Sequence, residues 1–161
     1  MFRSAILASV CAMLVASAAL AEAPASLMKG NISLGFTASA SPTILVGYQI
    51  KDMFKVGGSF GVASLDPGDT AWNVGAAGHY YLAGKSNQYF APFLGAGLGY
   101  SDSGAENTDG TLELNARFGA EAFPVPPLSV GGWIGFGWSE LDAETDAIGT
   151  LRSEIFVNLY W

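Results

Sequence analysis

The stretches TLELNARFGAEAF (residues 111–123) and LRSEIFVNLYW (residues 151–161) each carry two chemically opposite faces. In the first, alternate positions place Leu112, Leu114, Ala116, Phe118, Ala120 and Ala122 against Glu113, Asn115, Arg117, Gly119 and Glu121. In the second, Leu151, Ser153, Ile155, Val157, Leu159 and Trp161 oppose Arg152, Glu154, Phe156, Asn158 and Tyr160. A period of two is that of a β-strand, whose side chains point alternately to opposite sides of a sheet. The apolar parity recurs along the chain. It collects Ile32, Leu34 and Phe36; Ile44, Val46, Tyr48 and Ile50; Phe54, Val56, Phe60 and Val62; Val74, Tyr80 and Leu82; Phe90, Leu94, Leu98 and Tyr100; and Val130, Ile134, Phe136 and Trp138. No Asp, Glu, Lys or Arg falls on it.

Turn-forming stretches divide the strands at short intervals: SASPT (39–43), KDM (51–53), LDPGDT (65–70), AGKSNQ (83–88), SDSGAENTDG (101–110), PVPPL (124–128) and DAETDAIG (142–149). Seven turns separate eight segments, most of them close to the ~9–11 residues of a tilted membrane strand. KDM, AGKSNQ and PVPPL are compact. The connections between them are longer and acidic, the alternation of periplasmic turns and external loops. The fold expected is therefore all-β, an eight-stranded antiparallel up-and-down transmembrane barrel.

A soluble lipocalin-like barrel would invert this polarity, with an apolar lumen and a charged exterior. Here Lys55, Glu113, Arg117, Glu121, Arg152 and Glu154 share the face opposite the apolar band. A bilayer-facing exterior explains that, because Lys or Arg on a lipid face costs about 2–4 kcal/mol at the midplane. If the first strand runs outward, Phe36, Trp72, Tyr100 and Trp138 form an external aromatic girdle. Tyr48, Phe54, Tyr80, Phe90 and Trp161 form a periplasmic one.

Composition agrees. Of 161 residues, 13% are charged, about half the ~25% usual for soluble domains, and the mean hydropathy is positive. Beyond residue 21 there is no apolar run approaching the ~18 residues of a spanning helix. Residues 1–21 combine Arg3, an apolar stretch from Ala5 to Leu20 and small residues at Ala19 and Ala21, the layout of a secretory signal peptide. The remaining divisions expected are a short periplasmic segment at 22–29 and the barrel at 30–161. Cys11 lies within the leader, so the mature chain would hold no cysteine for disulfide, thiolate or metal chemistry.

Over Gly30 to Trp161 the chain resembles the small OmpA-type and OmpX-type outer-membrane barrels. The resemblance lies in the eight-strand meander, in the Gly/aromatic strand YFAPFLGAGLGY (89–100), and in the terminal strand IFVNLYW (155–161) with its C-terminal aromatic. Members usually end in Phe; here Trp161 stands in that place. The resemblance implies the outer membrane of a Gram-negative bacterium, surrounding lipid and lipopolysaccharide, and delivery by the barrel-assembly machinery with Trp161 in the assembly signal.

An eight-strand barrel is just wide enough to be filled by its own side chains. The six lumen charges, three of each sign, are expected to form a salt-bridge network, since buried charges must be paired and hydrogen-bonded. Lys55 and Glu121 fall toward the periplasmic end, Arg117 and Glu154 near mid-height, Glu113 and Arg152 toward the outside. The expected role is structural or surface-interactive. A small cation-preferring pore is the alternative, with numerous lumen-parity glycines in its favour. A lipid A-modifying enzyme is a further one. Outer-membrane lipid A deacylases are barrels with a His, Ser and Glu set whose histidine is followed closely by the serine, whereas His79 stands in GHYYLAG. No catalytic residue, cofactor or metal site is expected.

The segments assigned to the outside hold Asp66 and Asp69; Asp102, Glu106 and Asp109; and Glu140, Asp142, Glu144 and Asp146, with no Lys or Arg among them. They are expected to be solvated external loops, with weak capture of divalent cations as the functional alternative. Such charge disfavours nucleic acid as a partner.

Overall fold

In the computed structural model, residues 27–38, 42–66, 69–82, 89–104, 110–142 and 145–161 are described, with backbone alone at 64–66, 69, 140–142 and 145–150. The proposed signal peptide lies outside the described residues. Eight strands follow in chain order: β1 (Ile32–Thr37), β2 (Thr43–Lys51), β3 (Phe54–Asp66), β4 (Asp69–Tyr81), β5 (Phe90–Asp102), β6 (Thr111–Val125), β7 (Leu128–Asp142) and β8 (Thr145–Tyr160). Each pairs antiparallel with its neighbour, and β1 pairs with β8 from Ser33↔Tyr160 to Thr37↔Phe156, closing the barrel. Closure satisfies the backbone groups that a sheet edge would leave open. No helix among the described residues is long and apolar enough to cross a membrane.

The alternation read from the sequence is the alternation of the wall. Leu34, Val46, Phe60, Val74, Leu94, Leu114, Ile134 and Ile155, one per strand, are exposed on the outside. Ser33, Lys55, Tyr81, Phe93, Glu121, Trp133 and Phe156 are buried inside. The aromatic Phe90 departs from the expected outer girdle, being only 5% exposed, while the preceding Tyr89 is 65% exposed. Phe90 keeps the parity of Leu94 in an unbroken register with β6, so local burial at the start of the strand, not a change of face, takes it off the rim.

The strands also run longer than expected. β3, β4 and β5 have 13 residues each, β6 and β7 have 15, and β8 has 16. At ~3.4 Å per residue and a tilt near ~45°, 15 residues rise about 35 Å, more than the apolar band of ~25 Å requires. The excess lies at the end away from Leu27 and Trp161, here termed the far end. Consequently six residues expected in external loops are strand residues. Asp66 pairs with Asp69, Asp102 with Trp72, Glu140 with Asp146 and Asp142 with Thr145. Pairing continues into these segments across local register shifts, between Ser64 and Asp66 in β3 and between Glu140 and Asp142 in β7. Glu106, Asp109 and Glu144 lie outside the described residues.

The terminal end is compact. β2 and β3 are joined through Asp52 and Met53, and β6 and β7 through Pro126 and Pro127. Met53 has a φ of 65°, unusual for a side chain with a Cβ. Its backbone is fixed on both sides: its N–H donates to the Leu27 carbonyl (3.1 Å) and its carbonyl accepts from Tyr81 N–H (2.8 Å). Two main-chain bonds thus hold the strained residue in place.

Candidate functional site

The lumen has two unlike halves. Toward the terminal end it is solid. Tyr81, Phe93, Phe123, Phe156, Tyr160 and Leu27 form a buried cluster, with Trp133 on its upper side. Their packing uses the glycines opposite: a Cβ on Gly119 would lie 2.6 Å from Phe93 Cζ and 2.8 Å from Trp133 Cβ, so β6 must be bare there. Leu27, in the segment expected simply to precede the barrel, is 1% exposed. Its carbonyl accepts from Gln49 Nε2 at 2.9 Å as well as from the Met53 N–H, which ties Leu27 to β2 and to the turn after it.

Within the cluster lies a fully buried carboxylate. Glu121 Oε1 accepts from Lys55 Nζ at 2.8 Å and from Tyr81 OH at 2.5 Å. Glu121 Oε2 accepts from Tyr160 OH at 2.6 Å and from Ser129 Oγ at 2.7 Å. Lys55 also donates to Tyr160 OH at 2.9 Å and lies 5.7 and 5.3 Å from the Tyr81 and Tyr160 ring centres. A buried ion pair is tolerated when its remaining lone pairs and protons are met, and four donors surround this carboxylate. The cross-strand partner of Lys55 is His79, whose ring stacks on Phe93 with centroids 4.4 Å apart. No hydrogen-bond partner meets the buried Nε2 of His79 among the described residues.

Toward the far end the lumen widens into a vestibule of about 450 Å³. Lys55, His79, Trp133 and Phe156 form its floor, and Ser59, Asn73, Asn115, Glu113, Arg152 and Asn158 line its walls. Arg152 Nη1 pairs with Glu113 Oε2 at 2.6 Å, and Glu113 Oε1 accepts from Asn115 Nδ2 at 3.2 Å. The Arg152 side chain is 46% exposed, so this is a rim pair. Arg117 donates through Nε to Asn115 Oδ1 and holds its guanidinium 4.5 Å from the Trp133 ring centre. Glu154 Oε2 accepts from Trp133 Nε1 at 2.9 Å.

The six lumen charges named from sequence therefore fall into two ion pairs, Lys55–Glu121 and Arg152–Glu113, and two residues that meet at Trp133 instead of each other. What strand parity did not single out is the hydroxyl set around Glu121: Tyr81, Tyr160 and Ser129. All three have lumen parity, but their convergence depends on the stagger between β4, β6, β7 and β8, which no single segment records. Gln49 and Leu27 were missed because Leu27 precedes β1 and its contact with β2 follows no strand period.

No family model matches the chain, and no curated protein matches it. Among solved structures the chain is similar to the N-terminal β-barrel domain of Pseudomonas aeruginosa OprF, with a TM-score of 0.53 and 13% identity over 81% of this chain and 96% of that one. The crystal structure of Ail from Yersinia pestis aligns with a TM-score of 0.43 and 14% identity, covering 83% of this chain and 99% of that one. The neisserial surface protein NspA aligns with a TM-score of 0.42 and 19% identity, over 80% and 92% of the two chains. At 13% identity the likeness to the OprF domain is one of fold, and the fold is the closed eight-stranded antiparallel transmembrane barrel.

Proposed function

We propose that this chain is an integral protein of the outer membrane of a Gram-negative bacterium, with a lumen closed to ions and a structural or surface-interaction role. The observation that carries the reading is the polarity of the wall. Every strand exposes large apolar residues on its outward face, while Lys55, Glu113, Arg117, Glu121 and Glu154 line the lumen. Water would penalise such an exterior, and lipid would penalise the reverse arrangement.

A closed lumen is supported by the terminal half, where Glu121, Phe93 and Ala91 are each 0% exposed and Leu27 is 1% exposed. This favours a plugged barrel over a cation-preferring pore. The same layer holds His79 against Phe93 inside the lumen, away from the lipid face where a lipid-modifying enzyme needs its catalytic group. In this reading the far end is external, lipopolysaccharide surrounds the outer leaflet side, and the assembly machinery engages the β8 strand leading to Trp161. Expressed in a Gram-negative host, the chain should fractionate with the outer membrane, resist alkaline carbonate extraction and migrate differently on gels before and after boiling. Recovery in the soluble periplasmic fraction would contradict the proposal.

A further inference from the structure

Among the described residues, the two ion pairs of the lumen leave out one cation and one anion, Arg117 and Glu154. Glu121 and Lys55 satisfy each other in the plug, and Glu113 is occupied through both oxygens by Arg152 and Asn115. Arg117 makes no ion pair within 4.0 Å among the described residues, and Glu154 accepts from an indole N–H. Both meet the same indole: Arg117 lies over the Trp133 ring face at 4.5 Å, and Glu154 accepts from its N–H at 2.9 Å. Arg117 is further fixed by its bond to Asn115 and by contact with the bare backbone of Gly97, where a Cβ would collide with Nη2. Both groups line an open cavity of about 450 Å³, within the range of small-ligand sites.

A fixed guanidinium edge is a fork for a carboxylate. A carboxylate beside it, meeting only one donor, is an acceptor for an ammonium. The six lumen charges sum to zero, three of each sign, so a simple anion or cation entering the vestibule would be repelled by as many groups as attract it. A molecule carrying both charges on adjacent carbons meets complementary groups at each end. We propose that the vestibule is a binding site for small zwitterions of the α-amino-acid class, the carboxylate held by Arg117 and the ammonium by Glu154, across the edge of Trp133.

The test uses the full chain refolded in detergent micelles, with glycine, acetate and methylammonium as probes, followed by calorimetry and by the indole N–H resonance of Trp133, assigned by its loss in W133F. Glycine should saturate and shift that resonance, and acetate and methylammonium should bind at least about tenfold more weakly, since each forfeits one set of charge-assisted hydrogen bonds. R117Q and E154Q should each weaken glycine binding by at least about tenfold while retaining heat-modifiable gel mobility. Should R117Q fail to fold, R117K and the selectivity of the unaltered protein still decide the matter. Glycine binding no tighter than acetate or methylammonium, equal binding by E154Q, or no saturation at the solubility limit of glycine would each overturn the proposal.

Discussion

Glu121 is the residue on which the closed end turns. Glu121→Ala leaves the Lys55 ammonium buried beside Tyr160 alone, and removing one partner of a buried pair costs about 3–5 kcal/mol. Urea unfolding in lipid vesicles should show a loss of that order. The double variant Lys55→Met/Glu121→Leu should recover a large part of it, because no charge is then stranded. Equal stability of Glu121→Ala and the unaltered chain would show that the pair is not buried as described. Glu113→Gln provides the contrast: its partner Arg152 is half exposed, so the change should cost less than about 1 kcal/mol in the same assay. At this scale the sequence revealed which residues face inward but not which ones meet. Glu121 and Tyr160 lie on strands that are not neighbours, and their 2.6 Å contact crosses the lumen.

Among the strands, the legible part was the face and the illegible part the length. β6 shows both. Its alternation from Leu112 to Ala122 holds in the wall, yet the strand runs on through Val125, past Pro124, and its partner β7 starts at Leu128. Turn-rich composition marks where a chain can reverse, and continued pairing decides where it does. The lipid-facing character of β6 is testable at Phe118, which is exposed on the outside near the middle of the strand. Phe118→Arg should lower stability in lipid vesicles by about 2–4 kcal/mol, whereas an outward position facing water would tolerate arginine with little change. Equilibrium unfolding of the pair of proteins distinguishes these outcomes.

For the whole molecule, orientation and closure are the properties that matter for function. Single cysteines at Asp109 and Lys85 fall in links at opposite ends of the barrel, between β5 and β6 and between β4 and β5. In intact cells a membrane-impermeant maleimide should label the cysteine at Asp109 and spare that at Lys85; the opposite pattern would reverse the barrel. The eightfold meander and the inward placement of charge were both legible as parity. The division of the lumen into a half filled by side chains and a vestibule was not, because it arises from which heights the inward aromatics share once the barrel closes. Purified protein in planar lipid bilayers shows whether the filled half seals the lumen. A sealed lumen gives no stable conductance steps from the full chain. Stable, cation-biased steps that disappear when Glu113 or Glu121 is neutralised would contradict it.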